Sequence, residues 1–247
     1  MRVKTITCSG ANENTSVGGL LDLLSEFPMA EAGIQISADK CRNGMPRYHW
    51  IKQVAAEARK LAKPVQLALH INKDWVEDFC NGAVAPELSE FMALAYADGS
   101  RIFRRLQLNF KIGREREPDI DTVAAMVAAY PAHRFVFSYN PNNAAIIREL
   151  YRRGVMFDNL FDSSFGEGVM PICREGIVFE DRLQGYAGGL GPENIKNELD
   201  KINDVNLLSA IVYVDAEGHL KGEDGSMSLD KARDFICKIL QWEDANV

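Results

Sequence analysis

Three kinds of residue in this chain could do chemistry: single reactive side chains where strand-like runs end, a pair of glycines before a helix start, and a lone arginine. The glycine turn is the sharpest. In G-Y-A-G-G-L-G-P-E-N-I-K-N-E-L, residues 185–199, a short apolar run meets Gly188 and Gly189, and Pro192-Glu193-Asn194 then opens an apolar-periodic segment. Glycines let a backbone approach a ligand closely. Proline is favoured in a first helical turn, where unpaired N–H groups and the positive dipole end favour an anion. The chemistry implied is phosphate binding by Gly188, Gly189 and Asn194. The reactive strand ends are Cys8, Ser37, His70, Asn109, Ser138, Asp162 and Asp215. A cysteine on a strand is more commonly a small core residue, and an aspartate at a strand end more commonly a cap, so neither is a site by itself.

The elements that would position these residues alternate along the whole chain. Strands are expected at Val3–Cys8, Gly33–Ser37, Val65–His70, Arg105–Asn109, Phe135–Ser138, Asn159–Asp162, Gln184–Ala187 and Ala210–Val214. Helices are expected at Val17–Glu26, Tyr48–Ala62, Asp74–Cys80, Pro86–Ala97, Asp121–Tyr130, Asn143–Arg153, Pro192–Ile202 and Leu229–Trp242. Residues 163–181 carry little helical period. Alternation of this kind implies parallel strands joined by right-handed crossovers. Eight such units in 247 residues predict an α/β protein, a single-domain (β/α)8 TIM barrel over residues 1–247. The rival is a doubly wound sheet. Its glycine fingerprint is missing, because the first strand runs into Cys8-Ser9-Gly10-Ala11-Asn12. In a barrel the active site lies at the C-terminal ends of the strands, and phosphates favour the loops after strands seven and eight.

Composition narrows the partners. The chain is 47% hydrophobic and 26% charged, as ordinary globular proteins are, with a net charge of −7. That sign argues against nucleic acid. No apolar run approaches the roughly 20 residues that span a bilayer, so no membrane partner is expected. Five scattered cysteines without a C-x-x-C pair and four histidines without H-x-x-x-H argue against disulfides and against a metal site. No cofactor is expected. Free thiols and the lack of a secretory segment fit the cytoplasm.

Residues 187–195, A-G-G-L-G-P-E-N-I, resemble the A-G-G-L-x-P-E-N-V signature of phosphoribosylanthranilate isomerases, single-domain (β/α)8 enzymes of tryptophan biosynthesis. Other stretches follow in that family's order. Ile6-Thr7-Cys8-Ser9-Gly10 stands where the family has K-I-C-G-I, and Met45-Pro46-Arg47-Tyr48 resembles its S-x-R-Y. Leu106-Gln107-Leu108-Asn109 resembles V-Q-L-H, and Leu160-Phe161-Asp162 resembles L-L-D, with a reduced glycine loop at Gly166-Glu167-Gly168. The resemblance spans most of the chain, and only the 187–195 motif is specific alone.

The resemblance implies an Amadori rearrangement, an intramolecular oxidoreduction that turns an aminoaldose phosphate into an aminoketose phosphate. One group protonates the furanose ring oxygen and another takes the C2′ proton. Asp162 matches the family's acid and Cys8 its base. Asp162 would then need a raised pKa and Cys8 a lowered one. Arg47 would bind an anionic part of the substrate, with Gln107 and Asn109 as further substrate contacts. The partner implied is a small phosphorylated sugar derivative, and the assembly a monomer or homodimer. Departures stand beside these matches. Tyr213-Val214-Asp215-Ala216-Glu217-Gly218-His219 replaces the family's D-V-S-S-G-V-E, which brings Asp215 and Glu217 near the expected phosphate. Repulsion there could cost several kcal/mol. Asn109 replaces a histidine, the loop before Arg47 is long, and residues 75–99 are extended. These changes also fit an aldolase or epimerase of the same fold, or a barrel that binds a metabolite without catalysis.

Overall fold

A computed structural model describes residues 1–109, 118–162, 169–171, 173–206 and 210–246. Eight parallel strands close into a barrel in sequence order, each paired with the next and the eighth with the first. The strands are β1 (Arg2–Ala11), β2 (Ala30–Ile36), β3 (Gln66–Ile71), β4 (Phe103–Leu108), β5 (Arg134–Tyr139), β6 (Asp158–Phe161), β7 (Gln184–Tyr186) and β8 (Ile211–Ala216). Around them lie α1 (Val17–Glu26), α2 (Ala38–Cys41), α3 (Pro46–Ala58), α4 (Asp74–Cys80), α5 (Pro86–Ala93), α6 (Ile120–Ala129), α7 (Ala144–Arg152), α8 (Ile195–Asp204) and α9 (Leu229–Asn246). The protein is a (β/α)8 barrel. Among the described residues no helix is long and apolar enough to cross a membrane.

Boundaries moved where local chemistry outweighed pattern. Strand β1 continues three residues past Cys8, through a register shift between Ser9 and Ala11 where Gly10 takes φ of 100°. Helix α3 begins at Pro46, whose fixed φ suits a first turn. Helix α5 stops at Ala93, four residues short of the expected end, and Ala95 pairs with Arg101 in an isolated bridge. Between β6 and β7 the described residues form no helix, as the missing period implied.

Each strand divides its side chains between the two sides of the barrel wall. On β1 the two sets are clear. Ile6 and Cys8 join the large apolar cluster beneath the helices, together with Ala32, Ile34, Leu69 and Leu106. Thr7 and Ser9 point the other way, into the bore, where they hydrogen-bond side chains of the adjacent strands: Thr7 Oγ1 donates to Glu31 Oε1 of β2 at 2.9 Å, and Ser9 Oγ donates to Asp215 Oδ1 of β8 at 2.7 Å.

The middle of the bore is ionic rather than packed with branched aliphatics. Arg105 lies 2.6 Å from Glu31 and 3.8 Å from Asp158, with its guanidinium 4.3 Å from the Tyr213 ring centroid. Arg134 closes on the other Asp158 oxygen at 2.5 Å. Two glycines make room for the large side chains. A Cβ at Gly185 would sit 2.0 Å from Tyr213 Cζ, and one at Gly33 would sit 2.4 Å from Ser9 Oγ and 2.6 Å from the His70 ring. A small apolar set, Val136, Leu160, Ala187 and Tyr213, fills the β5–β8 side. This plug lies below the strand ends that form the mouth of the barrel.

Candidate active site

The mouth is built from residues that continue the inward-facing sets. Strand β8 brings Asp215, buried, to the level of Ser9, since Thr7 and Asp215 are paired neighbours. Burial raises the Asp215 carboxyl to about 7, and the hydrogen bond from Ser9 opposes that rise. Glu217 and Asp162 raise it further, while Arg105 lowers it. A carboxyl held near neutrality can both give and take a proton at working pH. Glu217 accepts a hydrogen bond from Gln35 Nε2 at 2.6 Å and pairs with Lys221 at 2.7 Å.

Asp162 follows β6 directly, in phase with inward-facing Asp158 and Leu160, and is half-buried. Its backbone N–H donates to Tyr139 O at 3.2 Å. Its charge acts on both Asp215 and Arg174. The two aspartates therefore share the mouth.

Cys8 does not share it. Its side chain lies on the helix side of β1, 1% exposed, among apolar residues. Burial raises the thiol pKa, and Asp215 and Glu31 raise it further. The general-base expectation needs the opposite direction, so the geometry withholds that role from Cys8. The sequence carried the signal: in Thr5-Ile6-Thr7-Cys8-Ser9, period two puts Cys8 in phase with Ile6 and out of phase with the hydroxyls.

The other expected contacts divide. Gln107, on inward-facing β4, donates to Asn109 Oδ1 at 3.0 Å; Asn109 donates to Asn72 Oδ1 at 2.9 Å, and Asn72 to the His70 carbonyl at 2.8 Å. This amide chain lines the β3–β4 rim. Arg47, in the first turn of α3, is held by Glu13 at 2.5 Å and reaches Gln35 O at 3.4 Å. An incoming carboxylate would have to displace Glu13. Residues 166–168 of the glycine loop lie outside the described residues.

Gly188 and Gly189 both adopt positive φ, 85° and 68°, and both are buried. Asn194 braces this turn: its Oδ1 accepts from Gly191 N at 3.0 Å and its Nδ2 donates to Gly189 O at 2.8 Å. Its amide is thus committed to holding the backbone. Arg174 completes the brace from behind. It donates to Ala187 O at 2.6 Å and Gly188 O at 3.4 Å, and pairs with Glu198 of α8 at 2.8 Å. The Ala187 and Gly188 carbonyls are thus turned toward a buried guanidinium. Sequence reasoning missed Arg174, which lies in a segment without period; it placed Asp215 among the reactive strand ends but gave it no role beyond repelling a phosphate.

Two solved structures share this architecture. The phosphoribosylanthranilate isomerase of Thermotoga maritima aligns over 98% of this chain and 100% of its own, with a TM-score of 0.56 and 16% sequence identity. A structure of monomers of the dimeric phosphoribosylanthranilate isomerase from the same organism aligns over 97% of this chain and 99% of its own, with a TM-score of 0.55 and 16% identity. The likeness is one of fold. No family model matches the chain, and no curated protein matches it in sequence.

Proposed function

We propose that the chain is an isomerase that moves protons on a phosphorylated aminoaldose, with phosphoribosylanthranilate as the first substrate to test. The observation that carries this reading is Asp215, a buried inward-facing carboxyl raised to about 7 beside Asp162 at the barrel mouth. The pair replaces the cysteine–aspartate pair that the resemblance implied. In the reaction one carboxyl protonates the ring oxygen, and the ring opens to an iminium. The C2′–H bond then breaks; its electron pair forms the carbon–carbon double bond, the C=N pair returns to nitrogen, and a carboxylate takes the proton. The enol hydroxyl loses a proton as C1′ gains one, so no oxidant is needed. Asp215 suits either transfer, because its pKa lies at working pH. The Gly188–Gly189 turn would take the phosphate, and Gln107 and Asn109 the sugar hydroxyls. Arg47 would take the anthranilate carboxylate in exchange for Glu13.

A substrate-shifted isomerase is the second reading, favoured by Asp215 and Glu217 facing the mouth. The test is turnover of phosphoribosylanthranilate by purified protein, together with growth of a tryptophan auxotroph lacking the isomerase. Wild type and Cys8→Ala should both be active. Asp215→Asn and Asp162→Asn should each lose at least about a hundredfold in kcat. An inactive, folded wild type removes the lead substrate, and loss of activity in Cys8→Ala alone restores the thiol to the mechanism.

A further inference from the structure

His70 is a polar side chain of the mouth that the proton-transfer pair and the rim contacts leave unused. It stands on the inner face of β3, in register with Gln35 and Gln107, and is 3% exposed. Its ring nitrogens make no hydrogen bond among the described residues. The missing side chain of Gly33 leaves Nε2 and Ser9 Oγ bordering the same small space, so the imidazole and the hydroxyl that holds Asp215 line one gap. A buried polar group in native structures is normally paired. One at the mouth is a place for a ligand atom.

Position decides which atom. In a closed barrel of eight strands taken in order, β3 lies opposite β7, and Asp162 and Asp215 come from the strands flanking β7. A substrate with its phosphate at the Gly188–Gly189 turn therefore extends past both carboxyls toward His70. Asp162, Asp215 and Glu217 disfavour a second anion on that path. We propose, resting on the isomerase reading above, that His70 is a catalytic residue that hydrogen-bonds the substrate hydroxyl on the carbon that loses its proton. The groups acting on His70 are Glu31, Glu217 and Arg105, and burial outweighs the two carboxylates, which lowers its pKa to about 4. The imidazole is therefore neutral in use, with one donor and one acceptor nitrogen. That inventory matches an alcohol that becomes an enol, and then a ketone that only accepts.

Ribitol 5-phosphate, an acyclic polyol phosphate that cannot isomerise, is the probe. It is titrated into nitrogen-15-labelled wild type, and the histidine ring resonances are followed. Four histidines make assignment by His70→Gln direct. The His70 ring signals should move, keep their neutral pattern down to about pH 6, and move less when Ser9→Ala loosens the wall. His70 signals unmoved at millimolar probe overturn the proposal, whether or not the enzyme turns over. With active wild type, His70→Leu should lower kcat about a hundredfold with KM little changed, and His70→Gln should recover part of that loss. Equal kcat in all three also overturns it. An inactive wild type whose His70 ring still responds to the probe supports the contact and removes only the Amadori substrate.

Discussion

Asparagine at position 215 should make the protein more stable and less active at once. The Asp215 carboxyl titrates at about 7 in the folded chain, against 3.8 for an ordinary aspartate. The folded state therefore holds a proton that the unfolded state has released. This contribution to stability is fully present below about pH 4 and is lost as pH rises through about 7. Above that pH both states are ionised, and the folded state carries the whole cost of a buried charge. A difference of about three units corresponds to about 4 kcal/mol. Asp215→Asn removes the charge and keeps an acceptor for Ser9, but its amide N–H groups must find partners, which offsets about 1–3 kcal/mol. The net expectation is a gain of about 1–3 kcal/mol at about pH 8, seen as a rise in Tm of about 2–4 °C per kcal/mol in a chain this size. The gain should be gone by about pH 4 and reverse below it, where wild type is protonated in both states and only the amide penalty of about 1–3 kcal/mol remains. Urea and thermal unfolding of both proteins at three pH values measure it. A difference that does not change with pH, or a variant less stable at high pH than at low pH relative to wild type, would refute the assignment of a raised Asp215.

Ser9→Ala should move the pH–rate limb of Asp215 upward, because it deletes the hydrogen bond that lowers that carboxyl's pKa. A hydrogen bond to a charged group is worth about 1.5–3 kcal/mol, which is about one to two pH units; an unmoved limb in kcat/KM counts against the pair. Arg105→Met should cost about 3–5 kcal/mol, since it leaves the Glu31 carboxylate buried with only the Thr7 hydroxyl. Adding Glu31→Gln should return about half of that loss, and strict additivity of the two changes in urea unfolding would deny their coupling.

The barrel was legible because its signals are repeated and local. Each strand announces itself by β-branched and apolar residues, each helix by its period, and eight alternations in one chain leave few topologies. The glycine turn was legible too, since Gly188 and Gly189 are the residues that positive φ selects. Which residues converge at the mouth was harder. Cys8 stood at the end of a strand in a matching motif, but one residue of phase separates the bore from the helix layer. The alternation in Thr5-Ile6-Thr7-Cys8-Ser9 outranks the motif match there. Asp215 appeared as an unwelcome charge beside a phosphate. The raised pKa on which its proposed role rests depends on burial, on Ser9 from the far end of the chain, and on Glu217 and Asp162, and none of these is a local property. Arg174 had no herald at all, because a guanidinium that braces a turn through carbonyls leaves no spacing to read.

The charged plug in the bore has a consequence for how such a chain can change over time. Glu31, Arg105, Asp158 and Arg134 neutralise one another across four strands, and the Tyr213 ring fits beneath the Arg105 guanidinium because position 185 has no side chain. No one of them can drift to an aliphatic without stranding its neighbours, yet a wholesale exchange for leucine and valine would be tolerated or even welcome. Descendants should therefore carry the set intact or lack it entirely. An inherited barrel of this kind has its history written in its hollow, where intermediates are forbidden, more durably than on the rim, where ligands can be traded one contact at a time.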